Sequence, residues 1–191
     1  MIKDIGESIK EVLKNAFKNS GFTTVTVSND KPKKDNVKAL PTLSCYLYHV
    51  NFAPNYKERT ESLVTTFSKE GKVVEYYQDA PVYLNAAYIV SVWGNNPNEE
   101  NLLLGLAIKT FLENAVLEGE ALKGDSFFPD DQINVYPNLQ ADFNDAMSFW
   151  RSLNEEIRPS LFYLARFRID SERRSQELTR VTGRDLAMKR G

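Results

Sequence analysis

The sequence has one cysteine, Cys45, and one histidine, His49, in 191 residues. A single cysteine excludes an internal disulfide framework and a multi-cysteine zinc site. A single histidine excludes the usual two- or three-histidine metal cages. Charge of one sign is also scarce in excess: 24 Lys+Arg stand against 26 Asp+Glu, a formal −2. No global electrostatic pull toward nucleic acid or anionic membrane follows from that balance. Long apolar runs are missing. The longest with helical character, Leu102 to Ile108, falls far short of the ~20 residues of a membrane span. Met1 to Lys10 carries charges throughout, so a secretory signal is not expected and the chain is expected to start in a cytosol.

What is present is ordinary globular material, 42% hydrophobic and 26% charged, enough for one domain or one domain with an appendage. Ile5, Ile9, Val12, Leu13, Ala16 and Phe17 recur at three- and four-residue spacing and predict a helix from about Asp4 to Asn19, with Gly21 as its stop. Phe22 to Ser28 reads as a strand. Asn29 to Leu40 is a lysine-rich polar loop containing Lys31, Lys33 and Lys34; a solvated loop is favoured over a phosphate-contacting patch, because no aromatic rings are interleaved for base stacking. Pro41 opens a strand, Thr42 to Phe52, expected to be covered on both sides. Leu43, Cys45, Leu47 and His49 are expected on one face.

Ser62–Ser68 and Lys72–Gln78 flank Glu70-Gly71 as a hairpin, and Pro81 to Trp93 is the most apolar strand. Asn96, Pro97 and Glu99 make a capping-box-like start for a helix to about Asn114, whose wide apolar stripe predicts burial on most sides. Ile133 and Val135 point to a short strand, Asp142 to Glu155 to a helix, and Leu161 to Ile169 to a last strand. This order predicts an α+β fold, a mainly antiparallel or mixed sheet with helices packed on it. The expected division is a domain at 1–170 followed by a basic arm at 171–191. The arm holds six basic residues against three acidic ones, a formal +3, which leaves −5 for the remainder. Such an arm is either a solvated end or a segment that docks on an acidic partner.

Candidate chemistry is thin. His49 is expected to be a buried or half-buried strand residue, and Cys45 a core thiol ~13 Å away along the strand, beyond the reach of a Cys–His pair. The neighbouring carboxylates Glu99 with Glu100, Asp130 with Asp131, and Glu155 with Glu156 suit capping and solubility better than acid–base work. Gly94-Asn95-Asn96 before a helix offers an anion cradle, but without a second glycine or a lysine. No enzyme, no cofactor and no metal site is expected. The most distinctive grouping is aromatic: Trp93, Phe149-Trp150, and Arg158-Pro159-Ser160 leading into Leu161-Phe162-Tyr163.

The succession of segments carries more than any one residue. Pro41-Thr42-Leu43-Ser44-Cys45-Tyr46-Leu47-Tyr48 is followed by Pro81-Val82-Tyr83-Leu84-Asn85-Ala86-Ala87-Tyr88-Ile89-Val90 leading to Trp93. Leu103-Leu104-Gly105, Phe111-Leu112 and Val116-Leu117 come next, then Phe149-Trp150 and Arg158-Pro159-Ser160-Leu161. Over most of Met1 to Ile169 this resembles the cap, or tail-terminator, family of extracellular contractile injection systems, phage-tail-like particles of the antifeeding-prophage type. The resemblance implies a tail-terminator-like fold and a structural role. A hexameric ring would sit on the last ring of the inner tube, stop its growth and anchor the final sheath layer. It implies a homo-oligomer with tube protein and sheath protein as partners, assembled in a bacterial cytoplasm and placed at the end distal to the baseplate. A neck, head–tail connector or baseplate adaptor of a phage-like particle is the alternative. In this reading Arg173, Arg174, Leu178, Arg180, Val181, Arg184 and Leu186 of the arm contact sheath, with Leu178 to Leu186 adding to a sheath strand edge.

Overall fold

A computed structural model describes residues 1–53, 61–67, 71–170, 175–176 and 178. They fall into two compact units, one formed by Met1–Pro54 and Tyr83–Arg168, the other by Asn55–Val82 and Ile169–Gly191.

The first unit is a six-stranded sheet with three helices. The strands are β1 (Thr26–Ser28), β2 (Thr42–Phe52), β5 (Val82–Trp93), β6 (Val116–Glu118), β7 (Gln132–Pro137) and β8 (Ser160–Ile169), in the order β1-β2-β5-β8-β7-β6. The helices are α1 (Ile2–Asn19), α2 (Pro97–Glu113) and α3 (Phe143–Leu153). β2 pairs antiparallel with β5, β7 with both β6 and β8, while β1 lies parallel to β2. The sheet is therefore mixed, and the α+β class expected from the segment order is what forms.

The helix ends follow their sequence signals. Gly21 adopts φ +87°, and the N–H groups of Gly21 and Phe22 donate to the carbonyls of Lys18 and Phe17, a left-handed stop that a side chain would strain. The Asn96 side chain accepts from the Glu99 N–H at 3.0 Å, with Pro97 at the first helical position. In α3, Asp142 and Asp145 form a reciprocal capping box. That helix ends at Leu153 because Asn154 turns left-handed (φ 56°), five residues before the proline expected to break it.

α1 buries Ile5, Ile9, Leu13 and Phe17 over the sheet face that carries Leu43, Cys45, Tyr88 and Val90. Its close approach depends on Gly6, where an added Cβ would stand 3.3 Å from Asn29 Nδ2 and 3.7 Å from the Tyr88 hydroxyl. α2 joins the same face through Phe111, whose ring centroid lies 4.2 Å from that of Tyr163. α3 takes the other face, with Trp150 against Trp93 and Phe149 against Tyr46 and Tyr48.

β5 lies between β2 and β8 and is buried continuously from Asn85 to Trp93. Asn85 survives there because its Oδ1 accepts from Tyr136 Oη and Arg166 Nε, each at 3.2 Å. β1 is shorter than expected, and Val116–Glu118, beyond the helix expected to about Asn114, form a separate strand, β6, against β7. The lysine-rich loop is pinned at several points. Asn29 Nδ2 donates to Glu7, Ser44 Oγ to the Asp30 carbonyl, and the Lys34 N–H to Glu155 Oε1.

Two sequence expectations are corrected. β2 is covered on both faces only in its first half; Tyr48, His49, Asn51 and Phe52 are exposed. A register shift between Leu47 and His49 sets His49 opposite Ala87, not on the Leu43–Cys45–Leu47 face. A bulge adds one residue and turns every later side chain to the other face, so His49 is a surface residue. α2 is not buried on most sides either: Leu102 (57%), Ile108 (38%) and Leu112 (69%) are exposed along its outer face.

The second unit contains the antiparallel hairpin β3 (Glu61–Phe67) and β4 (Val73–Asp79). Leu178 forms an antiparallel bridge to Glu75 at the edge of β4.

Cys45 is fully buried, and burial pushes its thiol up from 9.0 to about 12. The folded state holds the neutral form, so stability at this site is intact below the ordinary thiol pKa and drains as pH rises toward 12. Native protein at pH 8 is therefore expected to leave Cys45 unlabelled by an aromatic disulfide reagent, and denatured protein to release one equivalent of thiolate. Rapid native labelling would contradict this burial.

Candidate assembly surfaces

Of the aromatic residues singled out above, Trp93, Phe149 and Trp150 converge at one end of β5, whereas Phe162 meets Tyr48 and Tyr163 meets Phe111 elsewhere on the sheet. Trp93, the last residue of that strand, meets Trp150 of α3 edge-on, with ring centroids 6.3 Å apart at 65°. Leu153 completes the buried cluster, and Val37 and Phe149 pack against it. Trp150 Nε1 donates to Ser160 Oγ at 2.9 Å, and that hydroxyl donates on to the Arg158 carbonyl. The segment leading into β8 is thereby folded back over the cluster.

The Arg158 guanidinium carbon lies 3.8 Å above the centre of the Trp93 ring, and Nη1 donates to Glu100 Oε1 at 2.9 Å. The same carboxylate oxygen accepts from the Gly94 N–H at 3.0 Å. A side chain at position 94 would crowd that arrangement, since an added Cβ would stand 2.8 Å from Glu100 Cγ. Glu99 Oε2 meanwhile accepts from the Asn95 N–H at 2.6 Å and its Nδ2 at 2.9 Å. The Gly94-Asn95-Asn96 turn is therefore filled by the chain's own carboxylates and is not an open anion cradle. Glu99 and Glu100 serve as caps; Glu155 accepts from the lysine-rich loop, and Asp131 from the Phe128 N–H. Among the described residues no group of His, Cys, Asp and Glu is placed to hold a metal ion, and no helix is long and apolar enough to cross a membrane.

Two apolar surfaces border this cluster. A groove of about 660 Å³ is lined by Leu104, Phe143, Ile157, Pro159, Leu161 and Phe162 among others. Beside Leu104, the outer face of α2 presents Leu102, Gly105, Ile108 and Leu112, which lie within one face at 100° per residue. Asn101 and Lys109 stand between these apolar residues on the same face, and large exposed apolar side chains among such polar neighbours mark interaction sites on soluble proteins. The residues were legible in the sequence as an unusually wide stripe; that half of it faces outward was not, because a stripe's width does not say which side the sheet takes.

The hairpin carries a third apolar surface. Leu63 stands opposite Tyr77 and Phe67 opposite Val73, on one face, and all four are exposed. Of the arm residues expected to touch a partner, Leu178 alone is described. Its N–H donates to the Glu75 carbonyl at 2.7 Å, and the Ser175 N–H to the Tyr77 carbonyl at 2.8 Å. The Tyr77 N–H returns a bond to Ser175 Oγ at 2.9 Å. Arg173, Arg174, Arg180, Val181, Arg184 and Leu186 lie outside the described residues.

The Arg158–Glu100–Trp93 contact joins three chain segments, and its charges are 27% and 18% exposed. Replacing Arg158 by Ala strands a half-buried carboxylate and uncovers an indole face. The expected cost is about 2 kcal/mol, a fall in melting midpoint of roughly 4–8 °C for a chain of this size. Arg158→Lys is expected to restore less than half, since an ammonium lacks the planar group that stacks and donates together. Thermal melts followed by circular dichroism read both; an unchanged midpoint for Arg158→Ala would show the contact to be ornamental.

Comparison with known proteins adds the following. No protein with a curated description matches the sequence. Among solved structures, the fold matches the sheath/tube terminator of an extracellular contractile injection system, PVC, in its extended state. The TM-score is 0.69 at 16% identity, covering 100% of this chain and 64% of that one. It also matches the anti-feeding prophage cap, a tube-terminating cap, with TM-score 0.66 at 15% identity, covering 96% of this chain and 60% of that one. The chain thus spans less than two thirds of the length of either. The family model described as the Pvc16 N-terminal domain matches residues 4–183. With nearly its whole length inside that match, and with the helices and sheet of the terminators, the chain belongs to the Pvc16 N-terminal domain family.

Proposed function

We propose that this chain is a structural cap of a contractile injection system, a tube and sheath terminator that closes into a ring on the distal end of the inner tube. The observation that carries this reading is the apolar outer face of α2 on a fold shared with two terminators. A helix that exposes Leu102, Ile108 and Leu112 beside an apolar groove is shaped for burial against another protein. Such a face, meeting a different face of the next copy, generates a head-to-tail contact, which closes into a ring when the rotation suits. A ring with six members fits the family to which the chain belongs. Permanent interfaces of this type bury more than ~2,000 Å² in total, and the exposed faces of α2 and of the β3–β4 hairpin supply apolar area for them.

Termination follows from asymmetry. One face of the ring complements the last tube ring, and the opposite face lacks that complementarity, so no further ring adds. The work is done by shape and burial, and no bond-making step is assigned to any residue. In this reading the particle is assembled in a bacterial cytoplasm. The basic arm beyond Leu178 reaches sheath, with Arg180 and Arg184 steering toward acidic groups and Val181 and Leu186 supplying apolar contact. Arg173 and Arg174 enter the arm on the same electrostatic footing.

Two measurements test this. Particles assembled without the protein are expected to have over-long tubes or unstable sheaths in electron micrographs; normal tubes lacking baseplates would point to an adaptor instead. Leu112→Asp is expected to leave the melting midpoint of the single chain within about 0.5 kcal/mol of its starting stability, as for an exposed site. It is expected to abolish the ring in mass measurement of the purified protein. A ring of unchanged mass would remove α2 from the interface.

A further inference from the structure

Every chain carries both halves of a strand-pairing contact. The acceptor is the edge of β4, where the carbonyls of Glu75 and Tyr77 receive the N–H groups of Leu178 and Ser175. The donor is the arm segment Ser175–Leu178, which leaves the six-stranded unit once, after Arg168. Alternate residues of β4, 75 and 77, point their backbone groups to the arm. On β4 that is the two-residue spacing of an antiparallel ladder. On the arm the two donors, Ser175 and Leu178, lie three residues apart, one more than a regular ladder has, and the pairing is anchored by the antiparallel bridge between Glu75 and Leu178.

The hairpin on which the arm lies has two strands of its own. A two-stranded ribbon is marginal in water, and a third strand or a packed face is what makes such a unit hold. Among the described residues, Leu63, Phe67, Val73 and Tyr77 are exposed on one face of the ribbon, on either side of the Thr65–Glu75 pair. The arm's main-chain bonds are the same whether the segment comes from its own chain or from an identical neighbour, so bond energy does not separate the two arrangements. Closure into a ring does. A neighbour held by other contacts presents its arm at an effective concentration in the millimolar range, and an arm given to the neighbour adds its bonds to the ring contact. Exchange of an identical element is a low-cost route to association for this reason.

We propose that the β4 edge is a strand-acceptor site whose occupant in the assembly is the Ser175–Leu178 segment of a second copy, exchanged from chain to chain around the ring. This deepens the cap reading and rests on its ring. It also divides the arm: Ser175 to Leu178 fastens copy to copy, leaving the arginine-rich stretch beyond it for sheath.

The test uses the burial of Cys45, which leaves engineered cysteines alone on the surface. Directly opposed antiparallel residues have Cα atoms about 4.5–5.5 Å apart, within disulfide range. Glu75→Cys and Leu178→Cys are made as separate variants, co-expressed, purified as the assembly and oxidised; neither can close a 75–178 disulfide within itself. A covalent heterodimer band, absent from either variant alone at the same position, is expected. The double variant is expected to give a ladder of linked chains. A double variant that closes only within single chains, with no heterodimer from the mixture, overturns the exchange. Absence of any disulfide in the double variant removes the pairing itself and overturns it equally. Mass measurement on the same samples separates the two levels: an intact ring without heterodimer sinks the exchange alone, whereas a solitary chain that also fails to cap tubes sinks the ring reading with it.

Discussion

The guanidinium of Arg158 is the fastening on which the first unit depends. It lies flat on Trp93 and hands one N–H to Glu100, so a residue just before β8 fixes the end of β5 and the first turn of α2 at once. Each partner alone would be poorly placed. Trp93 ends a strand, Glu100 sits in a helix start whose backbone donors need acceptors, and Arg158 lies in an irregular stretch between α3 and β8. Together they satisfy one another: the carboxylate closes the Gly94 N–H, the cation neutralises the carboxylate, and the indole covers the cation. α3 is drawn in by the same cluster through Trp150, whose ring touches Trp93 and whose N–H is held by Ser160. Because the groove and the outer face of α2 both border this point, the rigidity of the knot is what gives those surfaces a fixed shape. A surface that recognises by complementarity is useful only if its shape persists.

Burial in the sheet explains why so few side chains remain for chemistry. β5 is closed on both faces from Asn85 to Trp93, and Cys45 is held neutral inside by its surroundings. His49, one strand over, reaches the surface through the bulge, without the metal-ligand neighbours that would give it such work among the described residues. Apolar residues, by contrast, sit where water meets them, on α2 and on the hairpin. An isolated chain gains nothing from exposed leucine and phenylalanine in rows. In the proposed assembly they would acquire a physical reason, because the area they bury offsets the loss of freedom on association.

How much of this could be read from residue order is a matter of range. Local signals were reliable: the Gly21 stop, the Asn96-Pro97 start of α2 and the alternation of β5 each depend on atoms a few residues apart, and each formed as expected. The grouping of Trp93, Phe149-Trp150 and Arg158 was visible as a concentration of rings, and the structure brings them together. Its mechanism was not visible, since the Arg158–Glu100 contact spans 58 residues and no spacing rule links such positions. The burial expected for His49 failed for a similar reason. One inserted residue at Tyr48 changes the phase of everything after it, and a period-two pattern with apolar residues in both rows cannot reveal the slip. The stripe of α2 was read as buried on most sides, whereas residue type alone does not say which side of a helix the sheet covers.

That last ambiguity bears on what a cap must be. A filament-forming subunit needs complementary faces at both ends, and growth continues while each new face reproduces the last. A terminator must keep the lateral contacts that make a ring while breaking the axial repeat, so its apolar surface has to be spent sideways and on one end only. In this chain the exposed apolar rows lie on a helix flank and on a hairpin, and the arm of formal +3 charge stands against a body of −5. In the proposed cap, lateral closure by burial, with a charged segment left to reach a different protein, would achieve termination without any moving part. Growth of the tube would stop there because the face that remains offers the next tube ring nothing to match.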